Sequence, residues 1–249
     1  MAKILGVPSR RARHQWTDWA GFLFFAWLAS AVFRRSPTLA IMMLPVCLHD
    51  LVLGIAFLVR RPAKARLAGW GPRSATYSGT FLMPVFLAFA GSRYPSWAGV
   101  TPVAWAVKIG YCLWLVGVVL GIWTVWELRY SFSLEPQARE LVRTGPYRVA
   151  RHPIYVAYVL QYLGMWLGHF TLPFGIALLA WLGLIAARVH YEEMVLEGTF
   201  PEYAEYRRQV GLFGPRVFSA GTAREKPAQL APGTLRISGA SSPADQRNR

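Results

Sequence analysis

Charged side chains, and acidic ones above all, are scarce in this sequence. Only 16% of the 249 residues are charged, with 12 acidic against 27 basic residues, whereas 54% are hydrophobic. In an ordinary soluble domain about a quarter of the residues are charged. The composition therefore argues against a soluble domain and indicates an integral membrane protein.

Cysteine is almost absent as well. Cys47 and Cys112 both lie within apolar runs, and neither belongs to a CxxC or Cys/His spacing. We therefore expect no metal site and no disulfide, and we predict that both side chains act as small buried hydrophobes. The sequence also lacks a P-loop, a zincin motif and a GxGxxG after a strand pattern, so it predicts no Rossmann domain.

Six apolar runs divide the chain into candidate membrane spans, at residues 16–33, 39–59, 77–90, 103–128, 154–167 and 172–187. A spanning helix needs about 20 mostly apolar residues, so the third run must recruit flanking residues. No small-residue cleavage site follows the first run, which is expected to stay as an anchor. The last two runs predict a tight helical hairpin. The predicted fold is all-α, a polytopic transmembrane helical bundle of about five to six spans.

Two features inside these runs concern helix packing. Gly117 and Gly121 form a GxxxG pattern, which predicts close approach of another helix. His49 and Asp50 lie near the middle of the second run, where polar side chains are costly in lipid. Two interpretations of this pair stay open: a functional site, or a bundle-facing pair hydrogen-bonded to another helix.

Lysine and arginine are distributed unevenly between alternate sides of the six runs. One side receives 23 of them and the other three, with Lys108 inside a run. The positive-inside rule then places both termini in the cytoplasm. Because the basic residues act as topology signals and contacts for anionic headgroups, the expected partner is the lipid bilayer, and nucleic-acid binding is not expected.

Three regions follow from this pattern. Residues 1–128 are predicted to form N-terminal transmembrane helices, and residues 129–218 a C-terminal core that contains the helical hairpin. Residues 219–249 have no apolar periodicity and are rich in Ala, Gly, Pro, Ser and charged residues. They are predicted to be a disordered tail.

The chemistry-bearing residues lie in two polar segments that flank the hairpin. Residues 143–155 contain three arginines, a histidine, two tyrosines, two prolines and a glycine. Beyond the last run come Arg188, Glu192 and Glu193. If the helix continues there, Arg188 and Glu192 share a face at i and i+4. Taken alone, the second segment is typical of a solvated amphipathic helix, but the topology places both segments on the cytoplasmic side.

Together the two segments resemble the isoprenylcysteine carboxyl methyltransferases and the related phospholipid N-methyltransferases. The pattern is Gly-Pro-Tyr, three residues, Arg-His-Pro, one residue and Tyr, followed after the hairpin by Glu-Glu-x-x-Leu and Tyr-x-x-Tyr-Arg. The matching residues are Gly145, Pro146, Tyr147, Arg151, His152, Pro153, Tyr155, Glu192, Glu193, Leu196, Phe200, Tyr203, Tyr206 and Arg207. The resemblance covers residues 127–210, and the preceding runs match only in hydrophobicity.

This resemblance implies an integral membrane enzyme that transfers a methyl group from S-adenosylmethionine to a lipid-like or small apolar acceptor. The cofactor site it implies consists of Tyr147, Arg151, His152, Pro153, Tyr155, Glu192 and Glu193. Arg188 would face the acceptor. Glu192 would serve as the base if that acceptor is an amine or a thiol rather than a carboxylate. His152 is an alternative base, although a cofactor-contacting or structural role is favoured.

The sequence departs from the family pattern at the turn 200–203, at residues 210–216 and at Tyr191, where an acidic residue is common. These positions concern the acceptor side more than the cofactor side. Two other functions therefore stay open. One is an NADPH-dependent sterol-type reductase, a group whose C-terminal membrane region is similar. The other is a non-catalytic membrane scaffold protein.

Overall fold

The computed structural model describes residues 3–6, 16–35, 37–93, 103–169 and 171–216, and this part of the chain is mostly helical. Its seven α-helices are α1 (Trp16–Arg35), α2 (Pro37–Val59), α3 (Trp70–Arg93), α4 (Ala104–Leu128), α5 (Pro153–His169), α6 (Leu172–Glu197) and α7 (Tyr203–Gln209). A short 3-10 helix, Gly145–Arg148, precedes α5. The six apolar runs coincide with α1 to α6, except that Val103 is the residue before α4, and this confirms the predicted helical architecture.

Two helices extend well beyond the apolar runs that predicted them. α3 begins at Trp70 and is 24 residues long, because the residues before the third run join the helix as expected. α6 is 26 residues long and continues beyond Ala187 to Glu197. Arg188 and Glu192 therefore lie one turn apart on the same helix face.

Membrane character is concentrated in two helices of the described residues. α4 and α6 are long and apolar enough to cross a membrane, and residues Leu44–Val59 of α2 form a shorter apolar helix. Large apolar side chains on α4, among them Trp105, Trp123 and Trp126, are exposed on the outside of the bundle. Exposed apolar surface of this extent marks a face that contacts lipid or another apolar partner. Cys47 is buried as predicted, whereas the same prediction was wrong for Cys112, which is exposed because it lies on the outer face of α4.

A small antiparallel sheet was not among the predictions. Its strands β1 (Lys3–Gly6), β2 (Ala65–Ala68) and β3 (Gln137–Ala138) lie in the order β1-β2-β3. Strands of two to four residues are too short to show an alternating pattern in the sequence. The sheet joins the segment after α4 to the connection between α2 and α3.

The described residues up to Arg216 form one compact unit with two apolar clusters. The larger cluster lies between α2, α3, α4, α5 and α6, and the smaller one surrounds α7. The division into regions 1–128 and 129–218 remains a prediction. The predicted disordered tail, 219–249, lies outside the described residues.

Glycines let α4 and α5 approach each other closely. A Cβ atom on Gly164 would lie 2.4 Å from the carbonyl oxygen of Gly110, and one on Gly117 would lie 2.7 Å from the carbonyl oxygen of Ala157. Such contacts are shorter than any real Cβ makes, so the backbones meet only because side chains are missing. The GxxxG pattern correctly predicted this approach at Gly117. Gly121 instead faces α2, where a Cβ would lie 3.0 Å from the His49 ring.

His49 and Asp50 are buried and face the bundle. Nδ1 of His49 lies 3.5 Å from Oδ1 of Asp50, and the imidazole packs edge-on against Tyr158 of α5, with 5.9 Å between ring centroids. Nε2 of His49 is buried without a hydrogen-bond partner. The pair thus faces the bundle, as one of the two interpretations expected. Nε2 of His49 does not make the expected hydrogen bond to another helix in the described part of the chain.

Two polar contacts join α3 to α6. The indole Nε1–H of Trp181 donates to the carbonyl oxygen of Gly79 at 2.8 Å, and the Arg188 guanidinium donates to Oγ1 of Thr80 at 2.7 Å. Trp181 is almost completely buried. These contacts hold α6 against α3 close to the polar residues at the C-terminal end of α6.

Because α4 and α5 pack closely, substitution by alanine should affect stability differently at Gly164 and at Gly183. Gly164→Ala should destabilise the protein by about 1–3 kcal/mol, because the added methyl group overpacks a backbone contact. Gly183→Ala, on α6, is the control because a Cβ there meets nothing within 4 Å. It should be neutral or stabilise the helix by up to about 1 kcal/mol. Thermal unfolding in detergent tests this pair, and equal melting temperatures would contradict the proposed crossing.

Candidate functional site

The turn before α5 is anchored by the end of α4. Gly145 has a φ of 55°, in the left-handed region, and a Cβ there would lie 2.8 Å from the Glu127 side chain. The hydroxyl of Thr144 donates to Oε2 of Glu127 at 2.7 Å. Only glycine combines this backbone conformation with this contact. The turn leads through the 3-10 helix to Pro153, which occupies the first position of α5, as proline commonly does.

The segment after α7 holds the same turn through backbone contacts. The N–H groups of Arg151 and His152 donate to the carbonyl oxygens of Gly211 and Leu212, at 2.9 and 3.1 Å. The Tyr206 hydroxyl donates to the carbonyl oxygen of Tyr147 at 2.6 Å. These hydrogen bonds therefore join the segment before α5 to α7 and to the segment that follows α7.

Glu192 connects α6 to the start of α5. Its Oε1 accepts hydrogen bonds from Nε of Arg188 at 3.0 Å and from the Tyr155 hydroxyl at 2.7 Å. Its Oε2 lies 3.6 Å from Nδ1 of His152. The carboxylate thus has a cation on its own helix and two partners on the neighbouring segment.

Glu193 has a separate set of partners. It accepts hydrogen bonds from Arg151 at 2.8 Å, from Nε2 of His152 at 2.9 Å and from the Tyr203 hydroxyl. Because an ionised carboxylate only accepts hydrogen bonds, Nε2 of His152 carries a proton in this arrangement. A buried carboxylate with three donors is compensated for the loss of water.

Arg188 is buried and makes three hydrogen bonds through different nitrogens. Besides Glu192 and Thr80, it donates to the carbonyl oxygen of Leu134 at 3.0 Å. Its guanidinium carbon lies 5.6 Å from the centre of the Tyr155 ring. The three hydrogen bonds use three of the five N–H donors of the guanidinium.

A cavity of about 100 Å³ lies beside this cluster. Four predicted site residues line it, namely Tyr147, Arg151, His152 and Glu192. The other four, Pro153, Tyr155, Arg188 and Glu193, do not line the cavity but pack around those that do. A second cavity, of about 370 Å³, lies against α7 and contains none of the predicted site residues.

Four polar atoms in residues that line the first cavity are buried and have no hydrogen-bond partner among the described residues. They are the Tyr147 and Ser133 hydroxyls and the Nε atoms of Arg139 and Arg151. Burial, followed by the negative charge of Glu192, raises the pKa of Tyr147 well above its ordinary value. Burial, followed by the charge of Arg60, lowers the pKa of Arg139 to about 10. At neutral pH the Tyr147 hydroxyl is therefore a neutral donor and Arg139 is charged.

Three residues of this cluster had no predicted role, namely Tyr203, Ser133 and Arg139. Tyr203 belongs to the quoted pattern, and its spacing from Glu193 could have suggested the contact between them. Ser133 and Arg139 lie in an irregular segment between α4 and the 3-10 helix. Neither belongs to a motif or a periodic pattern, so only the three-dimensional structure brings them to the cavity.

Comparison with known proteins agrees with the location of this cluster. Residues 105–203 match the phospholipid methyltransferase family. A cobalt-zinc-cadmium resistance protein of Cupriavidus metallidurans is 33% identical over 142 residues, which cover 55% of this chain and 60% of that protein. A nickel-cobalt-cadmium resistance protein of Alcaligenes xylosoxydans xylosoxydans is 36% identical over 84 residues, 32% of this chain and 38% of that protein.

The chain thus spans less than two thirds of the length of either relative. The family match runs from α4 to the first residue of α7 and contains all eight predicted site residues. The resemblance seen in the sequence is therefore confirmed, since residues 105–203 match the phospholipid methyltransferase family, in the group of membrane methyltransferases.

Proposed function

We propose that this protein is an integral membrane methyltransferase that uses S-adenosylmethionine and acts on a lipid-like or small apolar acceptor. The family match supports membrane methyltransferase activity. The observation that carries the finer proposal is the junction of α5 and α6. There Arg188, Glu192, Tyr155 and His152 converge beside a polar cavity at the end of an apolar helix.

In the proposed membrane arrangement, five or six of the helices α1 to α6 cross the bilayer and both termini are cytoplasmic. The helices are 17–26 residues long, within the range that spanning helices use, with α5 at the lower end. The bias of 23 basic residues against three supports a cytoplasmic site.

The residues around the cavity fit S-adenosylmethionine by chemistry. This cofactor carries a carboxylate, an ammonium and a sulfonium, and the cavity offers both the Glu192 carboxylate and unpartnered donors on Tyr147 and Arg151. Pockets for ligands of its size usually enclose about 300–1,000 Å³. The cavity of about 100 Å³ must therefore widen when the cofactor binds.

When bound, S-adenosylmethionine supplies a methyl group already activated by its positive sulfur. The protein then has to hold the acceptor atom in line with that methyl group and exclude water. For an amine or a thiol, Glu192 is placed to accept the proton, because it is the predicted carboxylate that lines the cavity. For a carboxylate acceptor, the other N–H donors of Arg188 would position it through charge-assisted hydrogen bonds. Neither role needs a metal ion.

The two neighbouring carboxylates should respond differently to removal of their charge. Glu192→Gln should weaken binding of labelled S-adenosylmethionine at least about tenfold, because a charged acceptor on the cavity is lost. Glu193→Gln should mainly lower stability, by about 2–4 kcal/mol, because one acceptor oxygen and the negative charge that compensates Arg151 are lost. Binding assays and thermal unfolding in detergent separate the two effects.

Glu205→Gln is the matched control, since Glu205 is exposed and pairs only within its own helix. It should leave both quantities unchanged. If Glu192→Gln bound the cofactor as tightly as this control, the site assignment would be wrong.

Arg188→Lys keeps the charge but removes the planar fork, so one amine cannot reach Glu192, Thr80 and Leu134 together. We expect kcat for methyl transfer to fall at least about tenfold, while cofactor affinity changes less than about threefold. Arg208→Lys, on the exposed face of α7, is the control. A parallel loss of cofactor binding would place Arg188 on the cofactor side instead of the acceptor side.

The acceptor is identified by incubating the purified protein with a lipid and small-molecule extract and a deuterated methyl donor. Mass spectrometry should reveal a product that gains the labelled methyl group and is absent with Glu192→Gln. Consumption of NADPH with an enone sterol, without methyl transfer, would favour the reductase alternative. Copurification with a partner without turnover of either cofactor would favour the scaffold alternative.

A further inference from the structure

Four residues that line the cavity each contain a buried hydrogen-bond donor that has no partner in the described part of the chain. These donors are the Ser133 and Tyr147 hydroxyls and the Nε atoms of Arg139 and Arg151. Buried polar groups without a partner destabilise a protein. Four such groups in the residues around one small cavity favour a ligand rich in acceptor atoms at this place.

Arg139 is the unusual member of this set. It is 7% exposed, and its terminal nitrogens donate to the carbonyl oxygen of Arg61 and, at 2.8 Å, to Oε1 of Gln137. Both acceptors are neutral, and no carboxylate in the described part of the chain lies within ion-pair distance. The charge of Asp18 acts on this guanidinium, but that carboxylate pairs directly with Arg60. Buried charges in proteins are normally paired, and Arg139 has no direct ion pair among the described residues.

The other charged groups on the cavity already have partners. Arg151 pairs with Glu193, and His152 lies between both site carboxylates. The remaining acidic groups are also engaged, Glu135 with Tyr77 and Glu140 with Arg61. An anion that entered the cavity would therefore meet one unmatched positive charge.

We propose that Arg139, Ser133, Tyr147 and Arg151 form a subsite that binds an oxyanion of the substrates. The oxyanion would be either the carboxylate of the methyl donor or the phosphate of a lipid headgroup. A volume of about 100 Å³ accommodates such a group, whereas the rest of the ligand requires the cavity to widen. The identity of the ligand rests on the proposed function, but the existence of the subsite does not.

Binding is tested first with inorganic phosphate as the probe, at constant ionic strength. Phosphate should raise the melting temperature of the wild-type protein in detergent, and Arg139→Gln should abolish that increase. Arg66→Gln is the control because Arg66 is exposed on β2 and pairs with Gln137 in the same sheet. Arg139→Lys should restore part of the effect.

A second set of measurements identifies the source of the anion. If it is the donor's carboxylate, Arg139→Gln should weaken binding of S-adenosylhomocysteine by about tenfold to hundredfold. Methylthioadenosine, which lacks the carboxylate, should bind equally well to both proteins. If it is a headgroup phosphate, S-adenosylhomocysteine affinity should stay unchanged. Arg139→Gln should then abolish a preference for phosphatidylethanolamine over an uncharged diacylglycerol.

Tyr147→Phe repeats these comparisons if Arg139→Gln does not fold, because the hydroxyl that it removes has no partner in the protein. The inference is overturned if phosphate stabilises all variants equally and neither ligand series distinguishes Arg139→Gln from Arg66→Gln. Wild-type protein that responds to phosphate but binds no S-adenosylhomocysteine would contradict the proposed function and leave the subsite standing.

Discussion

Two adjacent carboxylates on α6 hold the polar end of this molecule together. Successive residues on a helix point about 100° apart, so Glu192 and Glu193 reach different partners from one turn. Glu192 binds Tyr155 and Arg188, whereas Glu193 binds Arg151 and Tyr203. These donors come from the segment before α5, from α5, from α6 and from α7. The two carboxylates therefore compensate the positive charges of Arg188 and Arg151 and contact the buried His152.

The sequence allowed a good prediction of where helices and polar residues lie, because both depend on local patterns. Six apolar runs predicted six helices, and the i, i+4 spacing of Arg188 and Glu192 predicted a shared face that the length of α6 confirms. The strands could not be predicted, since two to four residues carry no periodic signal. The different partners of Glu192 and Glu193 could not be predicted either, because they depend on how α6 is rotated against its neighbours.

The structure also explains why one departure from the family pattern is compatible with the cluster. Residues 210–216 differ from the usual ending, yet Gly211 and Leu212 hold the turn before α5 through their backbone carbonyl groups. Backbone contacts do not depend on the identity of the side chain. The segment can therefore differ in sequence and still hold the turn before α5.

The two hydrogen bonds between α3 and α6 fix the rotation of α6 about its own axis. α6 is apolar over most of its length and around most of its circumference, so hydrophobic burial alone does not select one rotation about its axis. The hydrogen bonds of Trp181 and Arg188 to the neighbouring positions Gly79 and Thr80 are directional, and they do select one. A turn of roughly 100° would bring Glu193 to the direction in which Glu192 points and would carry Glu192 away from its partners. The orientation of the polar end of α6 is thus set within the bundle, by a helix that does not line the cavity.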